Sequence, residues 1–175
     1  MIKKKKIIVF SGKQFSGKDT VAKILLGKLK DFKRIGIADA IKSEYSARTG
    51  LSIEEIEKNK SKYRQDLIDL GNYGRNINPD YWLNSIISYP GNVIVTDVRV
   101  KHELDLFKKN GAFTVRVEAS EEQRAKRGLI TSSNDNTETD LDNIKDWDYI
   151  IYNNGTYEEL EKNTEELYTV LKERL

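Results

Sequence analysis

The sequence contains no cysteine, a single histidine, two prolines and no apolar run of membrane-spanning length. The first absence excludes disulfides, thiolate metal sites and cysteine nucleophiles, and it fits a reducing compartment. His102 has no partner serine, cysteine or second metal ligand to complete a triad or a zinc site, so it reads as structural. A membrane helix needs roughly 20 apolar residues, and Lys3 to Lys6 are followed only by Ile7-Ile8-Val9-Phe10, too short for the core of a signal peptide. A soluble, cytoplasmic protein with no membrane partner is therefore expected. Strong charge of one sign is also missing, because 30 basic and 28 acidic side chains leave +2. No global field draws this chain to nucleic acid, and the lysine run reads as a solvated strand edge. Any anion site must be local.

One such site is written at Gly12 to Thr20, Gly-Lys-Gln-Phe-Ser-Gly-Lys-Asp-Thr, with the spacing G-x-x-x-x-G-K of a P-loop. It follows the buried-strand signal Ile7 to Phe10 and precedes Val21, Ile24, Leu25 and Leu29 at helical spacing. Glycines let successive backbone N–H groups point at an anion, and the helix N-terminus adds unsatisfied donors and a positive dipole end. Gly12, Lys13, Ser16 and Gly17 would form the cradle, and Lys18 would reach the β- and γ-phosphates. Where a Ser or Thr hydroxyl normally meets Mg²⁺, this chain has Asp19 followed by Thr20. Two arrangements fit: Asp19 holds Mg²⁺ through a water, or it caps the first helical turn while Thr20 contacts phosphate.

Five segments rich in Val, Ile and aromatic residues read as strands: Ile7–Phe10, Arg34–Ile37, Val93–Thr96, Phe113–Val117 and Tyr149–Tyr152. Helical patterns separate them, which predicts a five-stranded parallel sheet covered on both faces, with ligands at the strands' carboxyl ends. Residues 40–90 hold helical patterning and no strand signal, too much for one crossover, and read as a helical insertion over the ligand edge. At 175 residues one α/β domain is expected. The last helix, Thr156 to Leu175, carries Leu160, Thr164, Leu167 and Leu171 on one stripe that packs.

Asp97 ends the third strand in the Walker B position, able to orient water on Mg²⁺. Arg99 points the same way if the chain stays extended, toward a phosphate or into a salt bridge with Asp97. Arg124 and Arg127, three apart on a helix after the fourth strand, suit a transferring phosphoryl group, although solvated arginines at that spacing are common. Thr131 to Asn143 reads as a mobile lid, or its Asn134, Asp135, Thr137 and Glu138 form no more than a capped turn.

Together these segments resemble P-loop kinases that act on small phosphorylated acceptors. Ser16 to Asp19, Ala38 to Lys42, Asp80-Tyr81-Trp82, Asp97-Val98-Arg99 with His102 to Asp105, and Asn153 to Thr156 with Glu158 to Leu160 are similar to phage-type deoxynucleoside monophosphate kinases. The P-loop, Arg64, Arg75, Gln123 to Gly128 and Thr137 to Asn143 resemble animal-type phosphomevalonate kinases. The resemblance implies a P-loop NTPase three-layer sandwich with an acceptor-binding insertion at 40–90 and a short lid at 124–143. It implies ATP as phosphoryl donor, Mg²⁺ at Asp19, Thr20 and Asp97, and Lys18, Asp97, Arg99, Arg124 and Arg127 as the catalytic set. Asn153, Asn154 and Gly155 would lie against adenine. Asp39, Lys42, Arg64, Arg75 and Arg99 would face the small-molecule acceptor, with Trp82 and Tyr73 stacking on its base. Two departures count: Lys13 is followed by Gln14 and Phe15 where both families carry more basic residues, and Val100 replaces a second arginine usual in phosphomevalonate kinases. The second favours a nucleoside or deoxynucleoside monophosphate. Phosphomevalonate is the alternative acceptor, and a non-catalytic nucleotide-binding module is the rival from another class. The sequence leaves monomer and dimer open.

Overall fold

The computed structural model describes residues 5–130, 134 and 136–174, with the side chains of residues 136 and 137 outside the description. Lys3, Lys4, Thr131 and Asp135 therefore lie outside the described residues, as does Leu175 at the end of the expected last helix. The described residues divide into two compact units, one running to Arg34 and resuming at Pro90, the other Ile35–Tyr89.

The first unit is built on five parallel strands, β1 (Ile7–Ser11), β2 (Phe32–Arg34), β3 (Asn92–Val95), β4 (Phe113–Glu118) and β5 (Tyr149–Tyr152), in the order β2-β3-β1-β4-β5. Register pairs Val9 with Val95 on one side of β1 and Ser11 with Arg116 on the other. Strand side chains alternate between faces, so a strand buried on both reads as an unbroken apolar run. β1 does so, and Ile7 to Phe10 are at most 4% exposed. Ile8, Phe10, Val115, Val117 and Ile151 meet α1 (Lys18–Lys28) and α9 (Tyr157–Arg174) through Val21, Leu25, Leu160, Leu167 and Leu171 in one core. Across the sheet α6 (Lys101–Lys109) buries Leu104 and Phe107. The crossover from β1 to β2 runs opposite to that from β3 to β4, and right-handed connections then place α1 and α6 on opposite faces. This is the three-layer α/β sandwich expected.

One strand is displaced from its expected place. Ile35 and Ile37 read as strand residues, yet β2 ends at Arg34 and Ile37 opens α2 (Ile37–Thr49). Gly36 is the N-cap, and the Asp39 carboxylate accepts its N–H at 2.9 Å, so α2 starts at Ile37 and the strand stops three residues short of its expected end.

The second unit contains α2, α3 (Ile53–Lys58), α4 (Lys60–Ile77) and α5 (Tyr81–Ile87), and no strand. Its core holds Ile56, Tyr63, Leu70, Trp82, Leu83 and Ile86. Trp82, expected to stack on a ligand base, is instead 2% exposed, and its indole N–H donates to the Gly71 carbonyl at 2.9 Å. A Cβ on Gly74 would stand 2.7 Å from that indole, so glycine at this place in α4 admits the ring. A tryptophan buried to this degree leaves no surface for a ligand.

Candidate active site

β1 and β3 are neighbours, so their carboxyl ends bring the loop after Ser11 beside Thr96 and Asp97. This edge is where an open parallel sheet binds ligands. Two left-handed residues shape the loop, Phe15 at φ 60 and Gly17 at φ 101, and Ser16 N–H closes a turn on the Lys13 carbonyl at 3.1 Å. α1 starts at Lys18, so the N–H groups of Lys18, Asp19 and Thr20 have no intrahelical acceptor. Gly17 holds the N-cap position and the Asp19 side chain is 67% exposed, which removes helix capping from the two roles open to Asp19.

Lys18 is 7% exposed, and its ammonium lies 3.7 Å from Asp19 Oδ2. Burial pushes its pKa below the ordinary lysine value; Asp19 opposes that effect and Arg99 reinforces it. Nearby, the Ser16 hydroxyl and Arg124 Nε are buried side-chain atoms that meet no hydrogen-bond partner. Unmet buried polar atoms cost about 1–3 kcal/mol each. A cradle of open N–H groups, an underneutralised lysine and two unmet polar atoms fits a polyphosphate. Asp19, Thr20 and Asp97 offer hard oxygen donors of the kind Mg²⁺ takes. Among the described residues no three acidic or histidine side chains cluster as a protein-only metal cage.

A pH dependence follows. Bound polyphosphate raises the Lys18 pKa again, so the complex retains a proton that the free protein releases first. Affinity for a non-hydrolysable ATP analogue is therefore expected to fall as pH rises through the free-state pKa, starting below 10.5, the ordinary lysine value. Calorimetry in two buffers of different ionisation enthalpy should show proton uptake on binding in that window. Lys18→Arg should abolish the uptake, and uptake unchanged in that variant would contradict the assignment.

The other expected residues fall into two groups. Asn153 is 6% exposed and donates from Nδ2 to the Ser16 carbonyl at 2.8 Å, so it braces the P-loop. Arg127 donates to the Phe15 carbonyl at 3.2 Å and to the Asn153 carbonyl at 2.7 Å, and Arg124 to the Gln14 carbonyl at 3.4 Å. Both arginines of α7 (Glu121–Arg127) thus bond to carbonyls of the loop. Asn154 accepts the Ser120 N–H at 2.7 Å, and a cavity of about 230 Å³ borders Asn153 and Gly155. Arg99 pairs through Nη1 with Glu138 at 2.9 Å, and Lys13 with Asp142 at 2.7 Å.

In the second unit, Lys42, Arg64 and Arg75 line a groove of about 620 Å³ with Lys60, over Ile41 and Leu67. Its lining contains no carboxylate. Lys42 and Lys60 are both answered by Glu57. Arg64 and Arg75 form no ion pair among the described residues. Asp39 caps α2 and stands 3.6 Å from Lys42, and Tyr73 lies under the Arg48 guanidinium, 5.4 Å from ring centre. Sequence reasoning passed over Arg116, 4% exposed and bonded to Ser11 Oγ at 3.1 Å, and it took Glu138 as part of a lid or of a capped turn without assigning it a partner. An arginine inside the apolar run of β4 was the available signal for the first.

Comparison with known families places this geometry. The phosphomevalonate kinase model matches residues 10–113 and the deoxynucleotide monophosphate kinase model residues 66–164, each more than half of the chain. The chain belongs to these families of P-loop kinases. The first match takes in the P-loop and the whole second unit; the second takes in β3, Asp97, Arg99, α7 and Asn153. Solved structures agree on the fold. Shikimate kinase from Acinetobacter baumannii in complex with shikimate is 18% identical over 97% of this chain and 94% of its own, at a TM-score of 0.58. A gluconokinase from Sinorhizobium meliloti 1021 is 16% identical over 98% and 95%, at 0.56. Shikimate kinase from Aquifex aeolicus is 20% identical over 96% and 97%, at 0.54. The sandwich is thus a P-loop NTPase fold, and the protein is a small-molecule kinase. Among the described residues no helix of this kinase is long and apolar enough to cross a membrane.

Proposed function

We propose that this kinase transfers the γ-phosphoryl group of ATP to the phosphate of a nucleoside or deoxynucleoside monophosphate, giving the diphosphate. The observation that carries the reading is the groove of the helical unit, where Arg64 and Arg75 stand over an apolar floor without an ion-pair partner among the described residues. An acceptor with a flat apolar body and its own phosphate matches that combination, and the match to deoxynucleotide monophosphate kinases supports it. The helical segment 40–90 then serves as the acceptor-binding insertion of a single kinase domain, and 124–143 as its lid. Phosphomevalonate is the second reading, favoured by the family match over residues 10–113.

Phosphoryl transfer relies on position and charge. Lys18 and the first N–H groups of α1 bind the donor phosphates, and Arg124 and Arg127 leave the carbonyls of Gln14, Phe15 and Asn153 to close over them. Arg99 answers charge on the transferring group, while Arg64 and Arg75 hold the acceptor phosphate and Lys42 adds to their field. Asp19, Thr20 and Asp97 would hold Mg²⁺, which when bound neutralises the β- and γ-oxygens. The acceptor oxygen is already anionic, so no strong base is required.

The test is ADP release from MgATP across all common nucleoside and deoxynucleoside monophosphates and phosphomevalonate. Turnover on a nucleotide is expected; turnover on phosphomevalonate alone would decide for the alternative, and silence would favour a binding module. In the active case Arg64→Ala and Arg75→Ala should each raise the acceptor KM about 10–100-fold, the worth of a charge-assisted hydrogen bond, and leave the ATP KM unchanged. A change confined to the ATP KM would remove the acceptor from the groove.

A further inference from the structure

Glu138 is a buried carboxylate for which phosphoryl transfer, as outlined above, has no use. It sits on the short helix α8 (Asn136–Thr139), in an acidic stretch whose composition suits solvent, yet its side chain is 4% exposed. Oε2 accepts the N–H of Gln14 within the P-loop at 3.0 Å, and Oε1 accepts from Arg99 Nη1 at 2.9 Å. One loop N–H and one guanidinium, bridged by two oxygens of a single anion, is the way such a loop takes a phosphoryl group. Asp142 completes the arrangement by holding Lys13 at 2.7 Å and Arg116 at 3.5 Å. The leading half of the loop, Lys13 and Gln14, is thus saturated by carboxylates. In the trailing half, Ser16 Oγ and the N–H groups that open α1 meet no partner among the described residues.

We propose that Glu138 is the resident counter-anion of the P-loop, occupying the leading anion position until the terminal phosphoryl group of a bound nucleoside triphosphate replaces it. The inference rests on the reading of the loop as the ATP site. A carboxylate and a phosphate cannot share one N–H and one guanidinium, so the triphosphate binds only the fraction of molecules from which Glu138 has withdrawn. Apparent affinity is lowered by that fraction. Arg99 is released to the transferring group only when that group has arrived, which makes Glu138 a positioning residue that acts through Arg99.

Glu138→Gln keeps the shape and removes the charge. It is expected to bind a non-hydrolysable ATP analogue about tenfold more tightly, with a smaller gain for ADP, which lacks the terminal group. A merely structural Glu138 would instead lose affinity for both, together with thermal stability. Glu138→Asp, which keeps the charge on a shorter arm, should fall between wild type and Glu138→Gln and covers the case in which the amide variant does not fold. Unchanged or weaker analogue binding in a folded variant would overturn the proposal, and so would equal gains for ADP and analogue. If no form binds either nucleotide, the ATP-site reading fails with it. If wild type binds the analogue but phosphorylates no acceptor, only the transfer reading fails, and the affinity comparison still decides the role of Glu138.

Discussion

Lys18→Ala is expected to lower kcat by about 10³-fold or more, the scale on which removing a charge-stabilising donor from a phosphoryl or acyl transfer site acts. Lys18 is 7% exposed, and its ion-pair partner Asp19 stands at 3.7 Å with its own side chain 67% exposed. Burial already pushes its pKa down, so at neutral pH its charge costs the free protein solvation and returns it on meeting phosphate. The loss of solvation outweighs the attraction of Asp19, so removing the ammonium takes away no net electrostatic stabilisation from the free protein, and the thermal midpoint should stay within a few degrees of wild type, about 1 kcal/mol. Single-turnover transfer and a melting curve measure the two effects separately. Turnover retained near the wild-type rate would remove the P-loop from the mechanism.

Gly17→Ala is expected to damage both stability and nucleotide binding. At φ 101 the position is left-handed, which costs a side chain roughly 1–2 kcal/mol. The added Cβ would stand 2.3 Å from Asn153 Nδ2. That amide is buried and already donates to the Ser16 carbonyl at 2.8 Å, so moving it strips a second loop atom of its partner. The sum is about 2–4 kcal/mol of stability, with nucleotide affinity falling on the order of 10²-fold as the open N–H groups lose their common aim. Denaturant unfolding and a binding isotherm read each directly. Gly17→Ala combined with Asn153→Ala should lose less than the sum of the single changes, because the clash and the stripped bond are one event. Strict additivity would mean that Asn153 does not brace the loop.

These residues differ in how far they can be read without coordinates. The P-loop is legible because its glycine spacing and flanking periodicities state one local geometry, and Asp97 because an acid closing an apolar run marks a strand's carboxyl end. Tyr149–Tyr152 coincides with β5 for the same local reason. Trp82 misleads because stacking on a base and packing on Gly74 ask for the same ring; only the tertiary partner separates them. β2 is misplaced because Ile35 and Ile37 satisfy a strand pattern that the bond from Gly36 to Asp39 overrides. Glu138 is the extreme case: its partners, Gln14 and Arg99, lie 124 and 39 residues away, and nothing local distinguishes it from its acidic neighbours.

The central claim is that this P-loop delivers phosphate to phosphate. The direct measurement is to follow the γ-phosphorus of ATP by ³¹P NMR in the presence of a nucleoside or deoxynucleoside monophosphate. A new pair of coupled resonances from a P–O–P linkage on the acceptor is expected, absent in Lys18→Ala. A lone phosphomonoester signal on an alcohol acceptor, or inorganic phosphate alone, would contradict it.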